Sequence, residues 1–190
     1  MPRAAQNLIL ALRDFARARQ GATAVEFAFI AGPLLMLLFG ILELALVFMM
    51  STALEAATTD AARTIRTGEM QTSGAASKEG FAEAVCDRMS WLGPSCGDNL
   101  YVDVRTYDDF TSLKDDPAQG GNAFNENNTC WSPGGPADIV LVRTYYSWPI
   151  FTPLISNALV NSGTDKRLLT AVDAFRNEPY SDQPPTGAGC

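Results

Sequence analysis

The sequence predicts an α+β protein: a long N-terminal helix that crosses a membrane and continues as a stalk, then a small exported domain of one helix on a short antiparallel sheet, stapled by disulfides. Three observations predict it. Phe27 to Met50 is a run of 24 residues whose only ionisable member is Glu43, and about 20 apolar residues suffice to cross the hydrocarbon as a helix. Leu100 to Tyr107 (LYVDVRTY) alternates apolar and polar residues, the period of a half-buried strand. The four cysteines, Cys86, Cys96, Cys130 and Cys190, all follow the apolar run, and an even count in an exported region points to two disulfides.

The N-terminal flank sets the orientation. Arg3, Arg13, Arg17 and Arg19 precede the span against one acid, Asp14, whereas Glu55 and Asp60 follow it with no base before Arg63. Bases near a span stay on the cytoplasmic side, so the N-terminus is expected inside and the rest of the chain outside. Residues 1–20 are too polar for the span and suit a short amphipathic helix on the inner leaflet. Ser51-Thr52-Ala53 has the small residues of a signal-cleavage site, but the core before it is too long for a secretory signal and carries Glu43, so cleavage there is not expected. Without residues 1–21, four bases and one acid are gone and the formal charge moves from −7 to −10. An acidic exported part argues against nucleic acid or an anionic membrane surface as a partner.

Past Met50 the helical pattern persists: Leu54, Ala57, Ala61 and Ile65 recur at spacings of three and four, with charged residues elsewhere, the amphipathic period. Gly68 offers a stop. The helix therefore spans 22–68, with the membrane segment at 27–50 and the stalk at 51–68. At 1.5 Å per residue it is ~68 Å long, and the bilayer core takes only ~30 Å of that, so the stalk stands outside or packs on the exported domain. Pro33 removes one hydrogen bond and crowds the carbonyl of Phe29, which predicts a kink or softened segment. Glu43, near the outer end of the span, is read as reaching interfacial water, with contact to another protein as the alternative.

Residues 69–77 (EMQTSGAAS) read as a linker to a domain at 78–190. Lys78 to Leu92 forms a helix with Phe81, Val85, Met89 and Leu92 on one face, ended by Gly93-Pro94. Cys86 on this helix and Cys96 just beyond it make the simplest pairing, and Cys130 can staple to Cys190, although spacing alone permits three connectivities. Strands follow at Leu100 to Tyr107, Asp138 to Trp148 and Leu168 to Phe175. In the first, Tyr101, Asp103, Arg105 and Tyr107 share one face and Leu100, Val102 and Val104 the other. Residues 111–137, rich in Asp, Asn, Gly and Pro, read as loop. The aromatic string Tyr145, Tyr146, Trp148, Phe151 reads as strand core, with an adhesive surface as the alternative.

Few chemistries fit. The chain has no histidine, which closes the Ser-His-Asp and Cys-His arrangements, and it has no Cys-x-x-Cys for a zinc cluster of the usual kind. Asp108-Asp109 and Asp115-Asp116 lack the ligand spacing of calcium loops and read as solvated loop acids. Gly120-Gly121 and Gly134-Gly135 are turn chemistry. No enzyme, cofactor or metal is expected.

One feature resists a structural explanation. Within GATAVEF, Glu26 lies at the start of the apolar segment, where a charge is costly, on the order of 3 kcal/mol at mid-depth. A cut after Gly21 would make Ala22 a new N-terminus and Glu26 the fifth residue of the mature chain, and a neighbouring subunit's amine could then answer the carboxylate. Gly21, the Ala-Val-Glu-Phe run at 24–27, Pro33 with its Leu-rich continuation, Leu54-Glu55-Ala56-Ala57 and Ala61-Ala62-Arg63 together resemble the TadE-like pseudopilins, minor pilins of tight-adherence (Tad) pili, over residues 20–65. The resemblance implies an inner-membrane prepilin peptidase acting between Gly21 and Ala22 on a leader of residues 1–21. It also implies assembly roles for Glu26, Phe27 and Pro33. The implied partners are that peptidase, other major and minor pilins and the inner-membrane pilus assembly platform, with the C-terminal domain periplasmic and later on an extracellular pilus. Phe27 stands where major pilins of this system usually carry Tyr, which fits the pseudopilin side. The alternative is an uncleaved, inner-membrane-anchored envelope protein with an extracytoplasmic binding domain.

Overall fold

Helix α1 runs unbroken from Ala22 to Arg66, 45 residues, with Pro33 inside it. The computed structural model describes residues 21–73, 76–92, 95–113, 118, 124–152, 158–163 and 165–180. Residues up to Leu42 form one unit and residues from Glu43 onward a second. In the first, the helix is apolar on nearly every side and exposed, as at Phe29, Ile30, Leu37 and Phe39. In the second, Glu43, Val47, Met50, Leu54, Ala57, Thr58, Ala61, Ala62 and Ile65 are buried, one stripe at spacings of three and four. The packed face thus takes in Glu43, Val47 and Met50, residues counted within the span in the sequence reading.

Gly68 ends the helical run, as its position suggests. Its φ is 75°, Gly68 N–H donates to Ile65 O at 3.0 Å and Thr67 N–H to Arg63 O at 3.0 Å. A Cβ there would lie 2.4 Å from the Tyr180 ring, so glycine is required by conformation and by space. The segment read as a linker contains more structure than composition suggested: Glu69–Thr72 forms a helical turn, α2, with Met70 and Gln71 buried. Gln71 Nε2 donates to Ile65 O at 3.1 Å, so a long polar side chain ties the turn to the end of α1.

Helix α3, Lys78–Arg88, starts at Ser77, whose hydroxyl accepts from Gly80 N–H at 2.9 Å, the N-cap arrangement serine favours. It stops earlier than predicted, and Ser90–Leu92 forms a separate 3-10 turn. Phe81, Val85 and Met89 are buried as the spacing predicted. The Cys86–Cys96 disulfide, Cα atoms 5.7 Å apart, joins α3 to α4, Ser95–Asn99. Cys130 is also disulfide-bonded; Cys190 lies outside the described residues.

Strands β1 (Leu100–Tyr107), β2 (Ile139–Pro149) and β3 (Lys166–Arg176) form an antiparallel sheet in the order β1-β2-β3. Val140, Val142, Tyr146 and Trp148 of β2 face the same core as α1, α3 and the Leu100, Val102, Val104 face of β1. On the other face Tyr145 and Leu168 pack with Ala118, Tyr101 and Phe124. The central strand is therefore buried on both faces rather than one. Residues 111–137 are not plain loop either. Val104 N–H donates to Cys130 O at 2.9 Å and Ser132 N–H to Val104 O at 2.8 Å, and Trp131 bridges Val104 in parallel. The free edge of β1 is thereby partly covered.

Candidate functional site

Gly21, Ala22, Glu26, Phe27 and Pro33 all belong to the first turns of the apolar unit, with Gly21 immediately before α1 and Ala22 its first residue. Phe27 is 71% exposed and Glu26 is exposed too. The residues one turn away from Glu26 along the helix, Thr23, Phe29 and Ile30, carry no charge. Among the described residues Glu26 has no ion pair. The arginines of residues 1–20 lie outside the described residues. The three described cysteines belong to the second unit and play no part in this constellation.

Glu43 behaves in the opposite way, and against the expectation from its place in the span. It does not reach water: it is 4% exposed, and its carboxylate accepts the backbone N–H of Phe151 through Oε1 and of Thr152 through Oε2, the latter at 2.8 Å. Two N–H donors on one carboxylate make a charge-assisted clamp between helix and strand end. A second polar contact lies further along the same pair of elements, where the hydroxyls of Thr58 and Thr144 are 2.6 Å apart. From Glu43 to Thr58 the helix rises ~22 Å at 1.5 Å per residue, and from Thr144 to Phe151 a strand covers ~23 Å at 3.3 Å per residue. The two contacts thus fix one register of α1 against β2. The signal was present in the sequence: the buried stripe, traced back from Leu54 by steps of four, three and four, passes Met50 and Val47 and lands on Glu43.

A third carboxylate, Asp103, lies on the face of β1 that also carries Tyr101, Arg105 and Tyr107. It is fully buried. Arg105 Nε lies 3.0 Å from Oδ1 and Arg143 Nη1 3.3 Å from Oδ2, and Cys130 N–H donates to Oδ1 at 2.7 Å. Asp103 and Arg143 are register partners across β1 and β2, so the pairing follows from the sheet itself, and the segment carrying Cys130 seals it. These acceptors are occupied by structure. Nearby, Tyr101 is held above its ordinary pKa, first by burial and then by the charge of Glu126.

The loop acids do structural work of a smaller kind. Asp109 caps the 3-10 turn Phe110–Ser112, and the Thr111 hydroxyl, followed by the Ser112 N–H, holds its carboxyl below the usual range. No group of three or more His, Cys, Asp or Glu side chains suited to a metal occurs among the described residues; Asp115, Asp116 and Gly120-Gly121 lie outside them. In the aromatic string Tyr145, Tyr146 and Trp148 are buried, while Phe151 is 68% exposed.

Residues 21–63 match the family described as TadE-like protein. The match covers α1 almost whole and stops short of the sheet, and it bears out the resemblance to TadE-like pilins of Tad pilus systems over that segment. No curated protein and no solved structure matches the chain.

Proposed function

We propose that the TadE-like segment makes this chain a minor pilin or pseudopilin of a tight-adherence pilus, a structural subunit and not an enzyme. A prepilin peptidase removes residues 1–21 by cutting between Gly21 and Ala22. The mature chain waits in the inner membrane through residues 27–50, with the leader side cytoplasmic and residues 78–190 periplasmic. It then joins other major and minor pilins through the assembly platform, at or near the pilus tip, in support of surface adhesion. The carrying observation is Glu26: an exposed carboxylate near the start of an apolar helix, with no ion pair among the described residues. A group in that position needs an opposite charge from outside the helix, and the Ala22 amine uncovered in a neighbouring subunit supplies one.

N-terminal sequencing of protein from the native host tests this reading. The expected result is a chain beginning at Ala22, with Gly21→Val abolishing that product. An intact leader in cells with active peptidase overturns it and leaves the uncleaved envelope anchor. A Glu26→Ala variant is expected to insert in the membrane, to be cut, and to be missing from sheared pili.

A further inference from the structure

The folded unit keeps an apolar surface that its own core leaves uncovered. On α1, Leu44, Leu46, Phe48 and Met49 are 40%, 41%, 68% and 47% exposed, and Phe151 at the end of β2 is 68% exposed. Single exposed apolar side chains are ordinary, but these are gathered where the chain enters the unit, because the Glu43 clamp holds Phe151 beside the first turn of the buried stripe. No charged residue follows on α1 until Glu55. The hydroxyls of Ser51 and Thr52 turn back onto the carbonyls of Val47, Phe48 and Met49, which hides them from an apolar surrounding.

The backbone at the strand end is equally suited to lipid. Pro149 has no N–H, Ile150 N–H donates to Asp165 O at 2.9 Å, and the N–H groups of Phe151 and Thr152 are both taken by Glu43. Every backbone donor from 149 to 152 is thus absent or paired while an aromatic ring is presented outward. In water that pairing would be optional; in a bilayer each unpaired donor costs several kcal/mol. Lys166 is exposed and opposite Pro149 in the register, and a lysine stem can lie along apolar surface while its ammonium stays in water.

We infer that residues 149–152 are a membrane-inserted element: Phe151 and the exposed flank of α1 from Leu44 to Met49 sit in the leaflet that faces the folded unit, and Glu43 makes the insertion possible by satisfying the strand end. The inference rests on α1 being a membrane helix and goes beyond it by immersing one end of the folded unit.

The test uses the full chain in phosphatidylcholine vesicles with brominated acyl chains, which quench tryptophan on contact. Phe151→Trp is read as the change relative to the unmodified chain, with Phe27→Trp, in the apolar segment, and Val172→Trp, 57% exposed on β3, as references. The expected result is a loss of emission for F151W comparable with that of F27W, and little for V172W. Loss for F27W with F151W no more quenched than V172W overturns the insertion and spares the membrane helix. Failure of the chain to float with the vesicles overturns both. Glu43→Ala in the F151W background is expected to reduce the quenching, since the clamp no longer holds the strand end in the bilayer; unchanged quenching overturns the role given to Glu43.

Discussion

Up to Met50, helix α1 carries two glutamates 17 residues apart, and the protein treats them in opposite ways. Glu43 is 4% exposed and saturated by two backbone donors of its own chain, whereas Glu26 is exposed and has no ion pair among the described residues. Both are carboxylates in an apolar stretch, so both need a counterpart. One is answered within the fold and belongs to its stability. The other has no such answer among the described residues, and the proposed role in assembly rests on that contrast. Asp103 extends the first class: it is fully buried with two guanidinium groups and a backbone N–H around it.

The contrast predicts a graded series in the thermal stability of the folded unit, measured on the full chain in detergent. Asp103→Ala has the largest effect, a loss of about 3–5 kcal/mol, because it removes the buried carboxylate that sits between two guanidinium groups and leaves their like charges facing each other. Glu43→Ala comes next, at about 2–3 kcal/mol, because two part-buried backbone N–H groups lose a charged acceptor. Glu26→Ala leaves the transition of the folded unit within about 0.5 kcal/mol of the parent. If Glu26→Ala and Glu43→Ala destabilise equally, the division between an internal and an external role breaks down. Thr58→Ala falls between Glu43→Ala and Glu26→Ala, at about 1 kcal/mol, since it removes one neutral hydrogen bond and leaves the Thr144 hydroxyl buried. Combined with Glu43→Ala it should cost less than the sum of the two if the contacts support one register together, and the plain sum if they act independently.

Elements governed by local periodicity were legible in the sequence. Strand β1 runs from Leu100 to Tyr107 as its alternation indicated, α1 continues past the apolar run to the region of Gly68, and the short spacing of Cys86 and Cys96 was enough for their pairing. Features that depend on distant chain were not. Period two says that Asp103 and Arg105 share a face, but not that the segment around Cys130 will cover it. Nothing near Glu43 announces Phe151 and Thr152, more than a hundred residues on. Glu69–Thr72 looked like a linker because its burial depends on Ile65 O and Pro133 O accepting from Gln71. The candidate site differs in kind: Gly21, Ala22, Glu26 and Pro33 form a linear pattern at the start of α1, and the proposal about their roles rests on that pattern.

The smallest expected effect concerns a carboxylate answered by its own turn at the surface. The Thr111 hydroxyl and the Ser112 N–H stabilise ionised Asp109 and hold its carboxyl below the ordinary range. A folded-state pKa below the unfolded value means the contribution is fully present above the unfolded value, about 3.9 for aspartate, and is lost as pH falls through the lower, folded one. The turn Phe110–Ser112 should therefore persist through the pH range in which an isolated aspartate protonates, and open only below it. Carboxyl-carbon NMR shifts of Asp109 in the full chain, set against a peptide of residues 105–113, measure the difference. Coincident titration curves would show that the cap does nothing for the charge, and the global melting temperature should not respond, because the group is exposed and screened. Together with Glu43 and Asp103 this would make a third carboxylate satisfied within its own unit, in contrast to Glu26, which has no ion pair among the described residues.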